Sequence, residues 1–292
     1  MKALMLILVL ALGWTSSTFA CSEDGKTGFL PANNMHIPVG MKAINGGLTL
    51  AQFNGVIAKV ERLYAPVVSN LGAKLVVERL WADTNVNAYA KRDNPKVWTV
   101  QMFGGLARHS AITADGFALV LCHELGHHIG GAPKKRATMN PWASSEGQSD
   151  YFATLKCLRQ VFLNDNNAAI VKTLAAPAEL IAACKKAFTK DDVNICVRSG
   201  MAGASVATLF ASMGGTAKLA SFSTPDLTVV SANIDSHPAT QCRLDTFFQG
   251  SICEVGFNEN VDQRDEVRGT CHKSTGHSSG MRPRCWHKPI SN

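Results

Sequence analysis

The ten residues "CHELGHHIGG", numbers 122–131, contain three histidines and a glutamate and end on two glycines. His123 and His127 are four positions apart, so on a helix they project from the same face and can reach one tetrahedral zinc ion. Glu124 would then face a water molecule bound to that ion. The two glycines predict the end of the helix. This pattern predicts a metal-binding helix; the alternative is a surface helix that is merely rich in histidine.

A zinc site of this kind needs a third protein ligand, and one common arrangement is excluded by the sequence. In the pattern HExxHxxGxxH the third ligand would fall on position 133, which is Pro133. Met139 is therefore not assigned to a Met-turn. His128 projects from another face of the same helix, so we expect it to face solvent or to support the zinc ligands without binding the ion.

The other common arrangement takes a glutamate from a following helix. The stretch "SSEGQSDYFA", 144–153, provides Glu146, with Asp150 one helical turn later. Asp150 could accept a hydrogen bond from the ring N–H of His123, which would fix the tautomer of that ligand. We therefore predict one Zn²⁺ per chain, bound by His123, His127 and Glu146.

The N-terminus has the composition of a secretory signal peptide. In residues 1–21, Lys2 precedes a short apolar run and Ala20 provides a small-residue exit, so the mature chain would begin at Cys21. An exported protein, periplasmic or secreted, is predicted. An outer-envelope lipoprotein with a lipid anchor on Cys21 is the alternative, although "TFA" lacks the Leu-like residue usual before such a cysteine. The uncharged stretch 199–217 is interpreted as a buried helix, and no transmembrane span is expected.

Composition supports one globular domain with disulfides. The chain is 46% hydrophobic and 17% charged, which is enough apolar material for a sizeable core. Its net charge of +7, partly in "KKR" at 134–136, indicates a cationic surface, because no nucleic-acid motif accompanies it. Seven of the nine cysteines lie between Cys157 and Cys285, and we expect at least three bridges among them. Either one of the seven is free, or its partner is Cys21 or Cys122.

Periodicity predicts an α+β fold. Short β-branched and aromatic stretches separated by turn residues predict about three strands, and helical spacing dominates from residue 113 onward. We divide the chain into a signal peptide at 1–20, a lead-in at 21–49, a main domain at 50–256 and a cysteine-containing tail at 257–292. The predicted helices cover 50–72, 113–129, 145–163, 177–188, 199–213 and 238–252, and the predicted strands lie within 73–81, 86–92 and 96–103.

The order of these stretches resembles a known family. "ExxxD" on a second helix, 19 residues after His127, is similar to the gluzincin metallopeptidases. "VNAYA" (86–90), "VQMFGGL" (100–106) and "SHPATQCRL" (236–244) stand in the same order as in the HtpX-like and CAAX-protease-like peptidases. The resemblance covers about residues 50–250. It departs from the family in the cysteine-rich second half, in the tail, and in lacking the transmembrane helices of many relatives.

The resemblance implies a mainly helical, zincin-type metallopeptidase domain and a zinc endopeptidase activity on protein or peptide substrates. Glu124 would be the general base. His237 would border the zinc and donate a hydrogen bond to the developing oxyanion, and Arg243 would orient that loop or a neighbouring carboxylate.

Two alternatives stay open at this point. If the strand 97–103 lies at the sheet edge beside the cleft, it would bind a substrate backbone by strand addition; otherwise it is an ordinary internal strand. A catalytically silent zinc-containing module that binds an envelope partner is the alternative to an enzyme, and the intact Glu124 speaks against it. Under strand addition the substrate-binding residues would be Val100, Gln101, Met102, Phe103 and Gly104.

Overall fold

The computed structural model describes residues 28–40, 46–136, 141–213 and 219–289, so the predicted signal peptide, Cys21 and Met139 lie outside the described residues. Within these residues the predicted α+β class is confirmed, with a three-stranded sheet and mostly helical structure around it. The elements are α1 (Leu50–Asn70), β1 (Lys74–Leu80), β2 (Ala88–Asn94), β3 (Val97–Phe103), α2 (Gly104–Arg108), α3 (Ala114–Ile129), α4 (Glu146–Phe152), a π-helical turn (Ala153–Cys157), α5 (Leu158–Phe162), α6 (Asn167–Val171), α7 (Ala178–Ala187), α8 (Asp191–Met213), α9 (Thr240–Ile252) and a 3-10 turn (Lys273–Thr275).

The helix that carries the histidines, α3, lies at the centre of the fold. The Thr113 hydroxyl caps it by accepting a hydrogen bond from the Gly116 amide. Every residue from 116 to 129 is buried, because α1, α4, α8 and the sheet pack around the helix. It ends at Ile129, before the two glycines, as the sequence predicted. Its side chains are therefore held on all sides, which fixes the positions of His123, Glu124 and His127.

The strand predicted to lie at the sheet edge is the central one. The strand order is β1-β3-β2, with β3 parallel to β1 and antiparallel to β2. The backbone groups of Val97–Phe103 are thus hydrogen-bonded on both sides, so this strand cannot pair with a substrate. The interpretation of Val100, Gln101, Met102, Phe103 and Gly104 as a substrate-binding edge was therefore wrong.

The outer edge of β2 faces the N-terminal segment of the chain. Residues 28–37 run antiparallel to residues 84–88. The Phe29 amide donates to the Ala88 carbonyl at 2.9 Å, and the Ile37 amide donates to the Thr84 carbonyl at 2.8 Å. The chain itself thus adds a short irregular strand to the open side of the sheet.

Four disulfides tie the second half of the molecule together. Three of them lie between residues 157 and 285, as predicted, and Cys122 is the eighth partner. The bond to Cys122 joins α3 to the π-helical turn, and two others hold the irregular tail against α9. The pairs are Cys122–Cys157, Cys184–Cys196, Cys242–Cys285 and Cys253–Cys271.

Helix α8 contains most of the uncharged stretch that was interpreted as a buried helix. Among the described residues, Asp191–Met213 is the one helix long and apolar enough to cross a membrane by length and composition, and 72% of its most apolar window is buried inside the fold. Residues 214–217 of the uncharged stretch lie outside the described residues. Such burial is typical of a core helix, and α8 contacts α3 and α9.

Candidate metal centre

Helices α3 and α4 bring two histidines and two glutamates to one buried point. The Nε2 atom of His123 lies 3.2 Å from Oε2 of Glu146, and the Nε2 atom of His127 lies 3.5 Å from Oε1 of the same carboxylate. Ligand atoms of His123, Glu124 and His127 also lie within 4.8 Å of one another. These three residues form a candidate metal-binding group, and Glu146, the third ligand predicted from the sequence, lies beside it.

Hydrogen bonds from the Nδ1 atoms of His123 and His127, on the side of each ring away from the centre, fix the orientation of both imidazoles. Nδ1 of His123 donates to Oδ1 of Asp150 at 2.7 Å, the hydrogen bond expected from the sequence, and Nδ1 of His127 donates to the Ser144 carbonyl at 2.9 Å. In its neutral form each ring therefore presents the lone pair of its Nε2 atom to the centre, which is the form that a metal ion requires.

The cluster contains most of the unpaired polar atoms in the described core. Within the described residues, seven buried side-chain nitrogen or oxygen atoms lack a hydrogen-bond partner, and five of them belong to this cluster. Buried polar atoms are normally paired, because leaving one unpaired costs about 1–3 kcal/mol. A divalent cation would satisfy these atoms together, so the donor set fits a metal ion. The five atoms are Nε2 of His123, Nε2 of His127, both carboxylate oxygens of Glu124 and Oε2 of Glu146.

The two glutamates have opposite protonation tendencies. Burial raises the pKa of Glu124 to about 7, a value suited to a group that takes up and releases a proton near neutral pH. Burial acts in the same direction on Glu146, but Lys135 and the surrounding histidines outweigh it and hold the pKa of that carboxyl well below its usual range. Glu146 is thus ionised, as a metal ligand must be, whereas Glu124 can exchange a proton.

The pKa values of the two histidines, His123 and His127, are also shifted in opposite directions. Burial would lower the pKa of His123, but the carboxylates of Asp150 and, to a smaller extent, Glu146 outweigh this effect and raise it to about 9. The pKa of His127 lies well below its ordinary value, mainly because of burial. Asp150 therefore makes His123 the more basic of the two rings, an effect expected of a carboxylate bonded behind a metal-binding histidine.

Arg243 orients a neighbouring carboxylate, one of the two roles considered from the sequence. Its Nε donates to Oδ2 of Asp150 at 2.7 Å and its Nη2 donates to Oδ1 at 2.6 Å. The guanidinium packs against the rings of Phe29 and Phe210, 4.5 and 4.4 Å from their centroids. A chain of contacts therefore runs from Arg243 through Asp150 to His123.

His237 borders the cluster, at the place expected from the sequence. Its Nε2 atom lies 3.4 Å from Oε2 of Glu146 and donates to the Gly28 carbonyl at 2.9 Å. Burial lowers its pKa, so the ring is a neutral donor near neutral pH. The loop before it is fixed by Arg136, whose Nε and backbone N–H both donate to Asp235.

His128 is not exposed to solvent, so that part of its prediction was wrong. It is 2% exposed and its ring stacks on Trp98 and Trp142, with centroids 5.5 and 4.9 Å away. Nε of Arg92 donates to its Nδ1 at 3.0 Å, and its own Nε2 donates to the Thr99 carbonyl at 3.2 Å. The stack anchors the C-terminal end of α3 to the sheet, so the role of His128 is in packing.

Two features of the site were missed by sequence reasoning. Lys135, assigned with its neighbours to a cationic surface, is 9% exposed, and its ammonium donates to Oε1 of Glu146 at 2.8 Å. The segment Gly28–Leu30, assigned to the N-terminal lead-in and to no site, is buried against the cluster, with the Phe29 ring 4.8 Å from that of His123. Nothing in the composition of either stretch marks it as part of a site.

Comparison of the chain with known proteins found no matching family model, no similar curated protein and no similar solved structure.

Proposed function

We propose that this protein is an exported zinc-dependent endopeptidase of the gluzincin type. The observation that carries the proposal is the convergence of two Nε2 lone pairs and two buried carboxylates, without hydrogen-bond partners for five of their atoms, at one point. A structural zinc site needs ligands only. The second carboxylate, Glu124, is the group that a hydrolytic site needs in addition.

His123, His127 and Glu146 would hold the zinc ion. Bound there, zinc would make a water molecule acidic enough to act as a nucleophile near neutral pH and would polarise a carbonyl group. The ammonium of Lys135 contributes by keeping the Glu146 carboxylate ionised.

The remaining residues have roles in moving and positioning protons. Glu124, whose pKa of about 7 lets it gain and lose a proton, takes the proton of the attacking water and passes it to the leaving amine. His237 donates a hydrogen bond to the carbonyl oxygen, where charge develops during the reaction. Asp150, held by Arg243, keeps the proton of His123 on Nδ1 and leaves Nε2 free.

The disulfides support the proposed location of the protein. Four intact bridges form and persist in oxidising compartments such as the periplasm or the extracellular medium. Whether the exported chain is free or is anchored through a lipid on Cys21 is decided by mass spectrometry of the N-terminal peptide.

The test combines metal analysis with an unbiased activity screen. Purified protein should contain one zinc per chain and should cleave members of a peptide library in a reaction that a chelator stops and zinc restores. Glu124→Gln should keep the metal and lose cleavage by several orders of magnitude, because only the proton transfer is removed. Glu179→Gln, an exposed carboxylate on α7, is the matched control and should keep full activity.

The alternative, a silent zinc-containing binding module, gives a different result in the same experiment. It would bind zinc as well as the enzyme would, yet no library peptide would be cut by the wild-type protein. Less than one zinc per chain in wild-type protein would contradict both.

A further inference from the structure

The residues that lead into β2, 84–88, are paired with the chain's own N-terminal segment beside the candidate metal centre. Residues 28–37 lie antiparallel to residues 84–88, and the end of the segment nearest the metal cluster is Gly28–Leu30. Added strands on a sheet edge are a common way in which proteins bind extended peptides. The segment therefore has the backbone geometry of a bound peptide.

The carbonyl and the amide group of the Gly28–Phe29 peptide bond both make hydrogen bonds within the fold. The Gly28 carbonyl accepts from Nε2 of His237 at 2.9 Å, and the Phe29 amide donates to the Ala88 carbonyl at 2.9 Å. The Phe29 carbonyl accepts from Nη1 of Arg243 at 3.0 Å. The carbonyl of this bond is thus held by the residue proposed to stabilise developing charge.

One residue further along, the backbone of the segment is also hydrogen-bonded to the side chain of Asn87, the residue before β2. The Leu30 amide donates to Oδ1 of Asn87 at 2.9 Å, and Nδ2 of Asn87 donates back to the Leu30 carbonyl at 3.2 Å. This reciprocal pair fixes the register of the segment against the sheet edge, so that the Gly28–Phe29 bond, and not a neighbouring one, lies at His237.

The side chains fit the same interpretation. The Phe29 ring is fully buried, packs edge-on against the ring of His123 and also contacts the guanidinium of Arg243. At Gly28 a Cβ atom would overlap the Ala88 carbonyl oxygen and Oδ1 of Asn87. The site therefore accepts glycine before the bond and a large apolar side chain after it.

We propose that the Gly28–Phe29 bond is bound as a substrate and is hydrolysed by the protein's own metal centre. The inference rests on the proposed peptidase function. Water adds to the Gly28 carbonyl carbon and the C–N bond breaks, so that Gly28 ends in a carboxylate. The proton that Glu124 takes from the water passes to the nitrogen of Phe29, which leaves as an amine.

The product is a chain that begins at Phe29. If the mature chain starts at Cys21, as its signal sequence predicts, the reaction removes residues 21–28, and with them the predicted position of a lipid anchor. The same contacts define the substrate class for cleavage of other chains: an extended peptide with glycine before the bond and a large apolar residue after it.

The test follows the N-terminus of the purified full-length protein by intact mass and N-terminal sequencing. Zinc-loaded wild-type protein should acquire the N-terminal sequence Phe-Leu-Pro-Ala, whereas chelated protein and Glu124→Gln should keep the longer chain. The rate should not depend on protein concentration, because the bond is already in place within the same molecule.

Gly28→Ala tests the position of the bond. The added methyl group should slow the appearance of Phe29 as N-terminus by at least ~10-fold, corresponding to about 1.4 kcal/mol of lost binding. Gly55→Ala on α1 is the matched control, because a Cβ there meets no atom within 4 Å, and it should process at the wild-type rate.

Hydrogen exchange on chelated protein gives a readout that does not depend on activity. The amides of Phe29 and Leu30 should be protected in wild-type and Gly55→Ala protein, and Gly28→Ala should lose that protection. Equal protection in all three would mean that Gly28 is not held as described, and would overturn the inference.

The activity outcomes separate this inference from the proposed function. If wild-type protein cuts library peptides in a zinc-dependent reaction while its own Gly28–Phe29 bond stays intact, the inference is wrong and the peptidase function stands. Cleavage at this bond that persists in Glu124→Gln would point to another protease and would also overturn it. If neither library peptides nor the bond are cut, the proposed function itself fails.

Discussion

Replacing Asp150 by asparagine should damage both the fold and the metal site, because this carboxylate is shared between them. It accepts two hydrogen bonds from Arg243 and one from His123, and all three side chains are at most 1% exposed. Asparagine keeps the shape of the side chain but removes its charge. The guanidinium of Arg243 would then lose the carboxylate that accepts hydrogen bonds from its Nε and Nη2 atoms.

The size of the effect follows from this burial. Neutralising one partner of a buried ion pair destabilises a protein by about 3–5 kcal/mol, and no solvent screening reduces the loss at this site. Loss of the hydrogen-bond acceptor behind a metal-binding histidine weakens metal affinity by about 10–100-fold. We therefore expect both losses in Asp150→Asn.

Urea unfolding of the chelated protein measures the first effect, and competition with a chromophoric zinc chelator measures the second. Asp93→Asn, whose side chain is 71% exposed, should change the free energy of unfolding by less than ~0.5 kcal/mol. The double variant Asp150→Leu with Arg243→Met removes both charges, so it should recover most of the stability. Its zinc affinity should remain low, since His123 still lacks its acceptor.

A small effect of Asp150→Asn in either assay would contradict the corresponding part of this prediction. If Asp150→Asn unfolds within ~1 kcal/mol of the wild-type protein, the buried pair does not have the energetic weight given to it. If its zinc affinity falls by less than about 10-fold, Asp150 does not support His123 as a ligand.

Three further predictions concern the scaffold. Removing the disulfide with Cys122→Ala and Cys157→Ala frees a loop of 35 residues and should lower the free energy of unfolding by about 4 kcal/mol, measured in denaturant; a loss below ~1 kcal/mol would contradict this. Gly147→Ala should cost about 1–3 kcal/mol, because its Cβ would overlap the buried ring of Trp286; an unchanged melting temperature would show that the ring can move. Burial alone would raise the pKa of Asp165, but Lys59 and Arg198 outweigh this effect and hold it below its ordinary value. The contribution of Asp165 to stability is therefore present above pH ~3.9 and is lost as the pH falls below that value. The stability gap between wild-type and Asp165→Asn proteins at pH 7 should therefore close in acid, and a gap that persists at pH 2 would be inconsistent with it.

The metal cluster could be predicted from the sequence because its geometry is mostly local. His123 and His127 share a helix face by their spacing alone, and so do Glu146 and Asp150. One long-range assumption remained, that the two helices meet, and the distance of 3.2 Å between His123 and Glu146 bears it out. The helices themselves were predictable for the same reason, since apolar spacing along a helix is read within a few turns.

The order of the strands could not be obtained in this way, because strand pairing depends on contacts between residues distant in the chain. A signal was nevertheless present. β3, "VWTVQMF", is almost continuously apolar, as expected of a strand covered on both faces, whereas β2, "AYAKRDN", ends in charged and exposed residues. The charged strand β2 is one of the two edge strands, and the apolar strand β3 lies in the middle.

The contacts of Gly28–Leu30 could not be predicted from the sequence, because they are made largely by backbone groups that every residue possesses. Their importance appears only in the burial of the site. His123, Glu124 and Glu146 are 0% exposed, so a foreign peptide could not reach these residues in the arrangement that the structure describes. The segment Gly28–Leu30 lies beside this group, with the Phe29 ring packed on His123 and the Gly28 carbonyl bonded to His237. A closed site and a hydrolytic donor set are therefore compatible when the chain's own N-terminal segment is the first substrate, and other peptides can enter only after that segment has moved.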